Sequence, residues 1–402
     1  MLVSLIAVSV VVAAWALGAK RLERWRVTAP MILVLAGVAV GFPLRDGLES
    51  SLDAEVAEHI AEIILAVLLF LDATDVRGGL FGTERRGAVR LLFVAMPLSL
   101  VASVLLGEWL LPGLDWAVLL VIACVVVPID FAPAASILRD GRVPERIRSV
   151  LKVESGYNDG IVSPVFIFAL VLAGDDSRGV TPLQALSSAL PQAIKAIIVG
   201  LVVGAVLAVV ANAAERRDLM TDQSKRLILV TAPLMSYGLS VAVSGSGFVS
   251  AFVCGIALNY LRRSPSFRRD LELVDDVGAL LTAAMWFVFG GVTVLALSSG
   301  VPVGMLVFCL MALTLVRMVP ILVALIGTGF SWRDRLLIGW LGPRGTTSIV
   351  FGLLAFNVLA GDAADQALLA TVVVVLGSVV LHGIGAPAAA HARGDSQTRL
   401  TA

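Results

Sequence analysis

Glu154-Ser155-Gly156-Tyr157-Asn158-Asp159-Gly160 sets two carboxylates, a hydroxyl and an amide in the middle of an apolar run, residues 149–173. That run is long enough to cross a bilayer. A charge at its centre costs on the order of 2.5–3.5 kcal/mol on insertion scales, so such residues face a water-filled cavity and handle an ion or a proton. In a helix, Ser155 and Asp159 stack on one stripe, and Glu154 and Asn158 on another. Ser155 and Asp159 thus offer a hydroxyl and a carboxylate to one point, a donor set suited to a hard metal cation. A desolvated carboxylate holds either a proton or a cation near neutral pH, not both. That competition is the minimal chemistry of exchange, and Asp159 with Ser155 is the predicted ion- and metal-ligating pair.

Glu154 is a second buried acid and needs a cationic partner. Arg317 and Arg344 are the arginines that fall inside apolar segments, and arginine binds carboxylates bidentately while staying charged. The expected ion pair is Glu154–Arg344. Arg317 is expected to neutralise carbonyl ends of interrupted helices or another acid. Asp130 lies where an apolar run is broken by Pro128 and Pro133; it can balance the positive ends of half-helices or line the ion path. Ile129 can offer only its backbone carbonyl. Asp72 is deep enough to line the path as well, whereas Asp75 reads as a solvated end charge. His59, His382 and His391 sit near span ends and form no metal cluster. Cys124, Cys254 and Cys309 are scattered among apolar runs and read as small core residues. No cofactor is expected.

The surrounding chain explains how such groups are held. It has 402 residues, of which 58% are hydrophobic and 15% charged, with a mean hydropathy of +0.96. Soluble domains carry about 25% charge. The expected class is an all-α polytopic membrane protein. Thirteen apolar segments are predicted: 2–19, 29–44, 60–74, 89–111, 116–138, 149–173, 183–213, 227–243, 247–261, 273–295, 301–327, 335–356 and 366–389. They do not alternate as barrel strands would. The first lacks a basic n-region and reads as a retained helix, not a signal peptide. No extramembrane module is expected. Zero net charge implies no nucleic-acid partner.

Arginine and lysine alternate between loops. One set holds Lys20 to Arg26, Arg77 to Arg90, Arg139 to Arg148, Arg216 to Arg226, Arg262 to Arg269, Arg333 with Arg335, and Arg393 with Arg399; the other holds only Arg45 and Arg178. The positive-inside rule then puts the N-terminus outside and the C-terminus in the cytoplasm of a cell membrane, which requires an odd number of spans.

Segments 5 and 12 look interrupted, by Val127-Pro128-Ile129-Asp130-Phe131-Ala132-Pro133 and by Gly342-Pro343-Arg344-Gly345-Thr346-Thr347-Ser348. Proline removes a backbone donor and clashes with the preceding turn. Freed backbone at membrane depth survives only beside a cavity or buried in protein. The breaks are seven segments apart, which fits two inverted six-helix repeats, segments 1–6 and 8–13, with paired broken helices at matching positions.

These residues resemble the first monovalent cation:proton antiporter family, the NhaP-like sodium/proton exchangers. The family pattern Glu-Ser-x-x-Asn-Asp-Gly is met by Glu154 to Gly160, Thr-Asp-Pro by Ile129-Asp130-Phe131, Gly-x-Arg-Gly by Gly342-Pro343-Arg344-Gly345, and the acid of the third helix by Leu69-Phe70-Leu71-Asp72. The resemblance implies crossed broken helices in segments 5 and 12 and a homodimer. It implies a dimerisation domain (residues 1–82 and 220–298), an ion-transport core (83–175 and 299–390), a linking helix (176–219) and a cytoplasmic tail (391–402). It implies that Asp159 binds the ion with Ser155 and segment-5 backbone oxygens, that Asn158 braces the crossed helices, and that exchange is electroneutral. The partners implied are a monovalent cation, protons and membrane lipids. The chain departs from the pattern at Ile129, where the family has threonine. Sodium is the expected cation, with lithium and potassium open; a potassium/proton antiporter and a passive channel or uniporter are the alternatives. No nucleophile or metalloprotease constellation suggests an enzyme.

Overall fold

The computed structural model describes residues 2–24, 28–44, 55–131, 138, 141, 143–174, 181–298 and 300–398. Every regular element among them is helical. The helices are α1 (Leu2–Arg24), α2 (Ala29–Gly41), α3 (Glu55–Asp75), α4 (Arg85–Leu110), α5 (Trp116–Val126), α6 (Glu145–Ala173), α7 (Pro182–Arg216), α8 (Asp222–Ala242), α9 (Gly247–Leu261), α10 (Glu272–Leu297), α11 (Val303–Leu313), α12 (Leu315–Ala324), α13 (Trp332–Trp340), α14 (Thr346–Val358) and α15 (Asp362–Thr398). A π-helical stretch, Leu91–Ala95, lies inside α4.

Six stretches are long and apolar enough to cross a membrane: Arg85–Leu110, Glu145–Ala173, Pro182–Arg216, Phe267–Leu297, Val303–Ala324 and Asp362–His382. Helices α5 and α14 are not, with 11 and 13 residues. At 1.5 Å per residue neither reaches the roughly 30 Å of a hydrocarbon core. Segment 5 loses its helix where the sequence predicts, after Val126, and segment 12 is split between Trp340 and Thr346. Pro133 lies outside the described residues. Segment 11, expected as one helix, is interrupted at Thr314, whose backbone (φ −119°, ψ −89°) leaves the helical region. The last helix outruns its predicted end at 389 and reaches Thr398, into the expected tail.

Small residues let the helices approach. Along α7 the buried face is Ala185, Ala189, Ala193, Ala196, Gly200, Val203, Gly204, Ala208 and Ala211. A Cβ on Gly200 would lie 2.3 Å from the Ser250 carbonyl oxygen, and one on Gly204 would lie 2.6 Å from that of Cys254; the backbones of α7 and α9 touch there. Helices in lipid gain nothing from burying leucine against leucine, so close approach and dispersion drive their association. The opposite face of α7, with Leu190, Ile194, Ile198, Leu201 and Val202, is exposed, as a lipid-facing surface requires.

Candidate functional site

Two broken chains cross beside α6. The first comes from α5, whose N-cap Asp115 accepts the Ala117 amide at 2.9 Å. Pro128 disfavours helix at the residue before it and lacks an amide proton, so α5 stops and residues Pro128 to Phe131 run on without helix. The second comes from α13, opened by a Ser331/Asp334 capping box, and runs unwound through Leu341 to Gly345 before α14 begins.

The two breaks are joined directly. The Asp130 amide donates to the Pro343 carbonyl (2.8 Å), and the Thr346 amide donates to Asp130 Oδ2 (2.7 Å). Ser348 Oγ donates to the Val125 carbonyl (2.7 Å). Asp130 thus puts its charge against the first amide of α14, where the helix dipole is positive, as its sequence position suggests.

Two arginines take the opposite, carbonyl ends. Arg344 is fully buried; it donates Nε to the Val126 carbonyl (2.6 Å), Nη1 to that of Gly342 and Nη2 to that of Ala312 (3.4 Å). These are the last carbonyls of α5 and α11 and one in the second break, orphaned by the end of each helix. Arg317 donates to the Ile338 and Leu341 carbonyls at the end of α13, each at 3.2 Å.

Arg317 is also the partner of Glu154, with Nη1–Oε1 of 2.7 Å and Nη2–Oε2 of 3.1 Å. The expected Glu154–Arg344 pair is therefore wrong. Arg344 spends its donors on carbonyls of the crossing, whereas the interruption at Thr314 starts a new helix, α12, that carries Arg317 to Glu154. A cavity of about 10 Å³, roughly one water molecule, lies beside the pair, lined by Glu154, Arg317, Asn158, Ser99 and Pro128.

Helix α6 runs unbroken through its motif. Asn158 Nδ2 donates to the Ile129 carbonyl (2.8 Å), tying α6 to the first break. Asp159 is 2% exposed. Its Oδ1 has no hydrogen-bond partner, and it forms no salt bridge among the described residues. Ser155, four residues earlier, is partly exposed. Asp72, on α3, is also partly exposed and lies within electrostatic range of Asp130 and Asp159. The motif glycines have a steric reason: a Cβ on Gly156 would lie 2.8 Å from the Asp72 carbonyl oxygen, and one on Gly160 would meet the Phe252 ring at 2.4 Å. Gly156 is what lets α3 bring Asp72 to α6.

The structure thus gathers Asp159, Ser155, Asn158 and Glu154 from α6, Ile129 and Asp130 from the first break, Arg344 from the second, Arg317 from α12 and Asp72 from α3. No group of three or more His, Cys, Asp or Glu side chains able to hold a metal ion occurs among the described residues.

Sequence reasoning missed two features. His382, read as a span-end residue, is 2% exposed. It contacts the Trp340 carbonyl through Nε2 (3.1 Å) and Ser378 through Nδ1, and Ser378 Oγ accepts the Arg344 amide (2.7 Å). It therefore buttresses the second break from α15. The other feature is the hydroxyl run Thr346-Thr347-Ser348, visible in the sequence but given no role there. The Thr347 side chain lies close to the Asp159 carboxylate.

With this geometry in view, comparison with known proteins is informative. Residues 6–391 match the model of the family described as sodium/hydrogen exchanger, transmembrane. A Na(+)/H(+) antiporter of Schizosaccharomyces pombe is 24% identical over 360 residues, covering 81% of this chain and 75% of that protein. A K(+)/H(+) antiporter NhaP of Alkalimonas amylolytica is 26% identical over 377 residues, covering 89% of this chain and 61% of that one. The K(+)/H(+) antiporter NhaP2 of Shewanella sp. (strain MR-4) is 24% identical over 356 residues, with 85% and 58% covered; the chain spans about three-fifths of these two potassium relatives. In fold, the sodium proton antiporter MjNhaP1 of Methanocaldococcus jannaschii superposes with a TM-score of 0.81 at 20% identity, covering 97% of this chain and 98% of that one. The crossed breaks and the family match over nearly the whole length lead to one conclusion: this chain belongs to the sodium/hydrogen exchanger family of membrane transporters.

Proposed function

We propose that the protein is a secondary antiporter that exchanges a monovalent cation, sodium in the first instance, for protons at Asp159. The observation that carries this reading is the buried Asp159 carboxylate: one oxygen lacks any hydrogen-bond partner, and no cation among the described residues forms a salt bridge with it. A buried, unpaired carboxylate is costly. A proton or a metal ion relieves that cost, and each excludes the other. Ser155, the Ile129 carbonyl and Asp72 are the further oxygens proposed for the ion or its path. Asn158, Glu154, Arg317, Arg344 and Asp130 hold the crossing and carry no ion.

The proposal extends to architecture: thirteen spans in two inverted repeats, a core of residues 83–175 and 299–390 that rocks against a dimerisation domain of 1–82 and 220–298, and a homodimer in the cell membrane with its C-terminus in the cytoplasm. One titrating acid per cycle makes the exchange electroneutral. Potassium is the competing cation, because similar proteins include K(+)/H(+) antiporters by name.

The test is dissipation of a pH gradient in proteoliposomes on addition of sodium, lithium or potassium. Asp159→Asn is expected to abolish proton-coupled flux of the preferred cation. Wild-type activity in that variant would remove Asp159 from the mechanism, and flux that ignores the pH gradient would favour a passive channel or uniporter.

A further inference from the structure

The reading above leaves the start of α14 unused. Thr346 and Thr347 are 2% and 3% exposed. The Thr347 side chain lies close to the Asp159 carboxylate, and Thr346 Oγ1 is buried with no hydrogen-bond partner. A buried polar atom without a partner is destabilising, and in a native fold it points to a group that binds there. Across the site the first break has no hydroxyl to give. The Ile129 side chain is 1% exposed and belongs to the apolar core. Its carbonyl already accepts the Asn158 amide.

We propose that the Thr347 hydroxyl is a ligand of the transported cation, assisted by Thr346, and that this pair sets which alkali cation the site prefers. The inference rests on Asp159 being the ion seat. A helix N-terminus by itself repels a cation through its dipole. Here Asp130 Oδ2 accepts the Thr346 amide at 2.7 Å, and its charge offsets that end. A threonine hydroxyl has one proton and two lone pairs and turns to suit its neighbour. It donates to the Asp159 carboxylate when no metal is there, and offers a lone pair when a cation arrives. Because Thr347 comes from α14 and Asp159 from α6, the ligand set joins the second break to the uninterrupted helix. The size of the gap between them, not a side chain at position 129, then discriminates among lithium, sodium and potassium.

Thr347→Val keeps the β-branched shape and removes the oxygen. In proteoliposomes, with pH-gradient dissipation measured against sodium, lithium and potassium, T347V is expected to raise the half-saturating concentration of the preferred cation by about tenfold, one lost ligand's worth. The maximal rate should stay within about twofold and the rank order of cations should change. Thr347→Ser is expected to restore wild-type behaviour, which a purely space-filling role for the side chain would not predict. If T347V does not yield monodisperse protein, Thr347→Ala bears the same expectation. Wild-type half-saturation for all three cations in T347V or T347A would overturn the proposal. Asp159→Asn is run in parallel. If D159N is inactive and T347V is unchanged, only the role of Thr347 fails; if D159N still exchanges protons, the seat at Asp159 fails and Thr347 with it.

Discussion

Arg317 and Glu154 face each other through two parallel hydrogen bonds of 2.7 and 3.1 Å, with both side chains buried. The pair joins α12 to α6 five residues before Asp159, and the same guanidinium caps two carbonyls at the end of α13. It supports the site without entering it.

Removing either partner leaves a buried charge, a loss of about 3–5 kcal/mol. Glu154→Ala and Arg317→Ala should each lower the thermal midpoint in detergent sharply, and the double variant should cost less than the sum. Additive losses in that cycle would mean that the two side chains do not act as a pair.

Arg344 is bound by geometry instead of by an acid. Its planar fork reaches carbonyls of three different segments, which a lysine ammonium on its flexible stem cannot reproduce. Arg344→Lys should destabilise the protein by at least about 2 kcal/mol, the worth of one or two charged hydrogen bonds. Combined with Glu154→Ala, its effect should add. Strong non-additivity would restore the Glu154–Arg344 pairing.

Asp130→Asn keeps an acceptor for the Thr346 amide and removes the charge. The positive end of α14 would then stand uncompensated beside the ion seat. The expected result is a thermal midpoint close to wild type and a half-saturating cation concentration raised about tenfold, which corresponds to 1.4 kcal/mol. Unchanged affinity in the flux assay would leave Asp130 a purely structural link.

Gly156→Ala would push a methyl against the Asp72 carbonyl oxygen, 2.8 Å from the ideal Cβ. Overpacking of this kind costs about 1–3 kcal/mol, and separating α3 from α6 should reduce flux as well. Gly238→Ala is the control: nothing lies within 4 Å of its Cβ, and no loss of stability is expected. Equal melting curves for both variants would show that α3 and α6 do not need their close approach.

Much of this protein is set by short-range pattern. Apolar runs give the membrane class, because backbone in lipid must satisfy itself within a helix. Pro128 and Pro343 mark both breaks, because a proline cannot donate and the residue before it resists helix. The four-residue spacing of Ser155 and Asp159 fixes which side chains share a stripe on α6. Even the choice of Arg317 and Arg344 as the buried cations, and of Asp130 as the charge at a half-helix end, follows from where those residues fall in their own segments.

Which of these groups meet was decided by the path of the chain. Glu154 and Arg317 are 163 positions apart, and the interruption at Thr314 that brings them together carries no proline or glycine to announce it. Thr347 reaches Asp159, and His382 braces the Trp340 carbonyl, only because α14 and α15 fold back beside the crossing. Local spacing dictates the direction of a side chain on its own helix. The partner it finds depends on contacts among distant segments, which compete for the same few buried donors and acceptors.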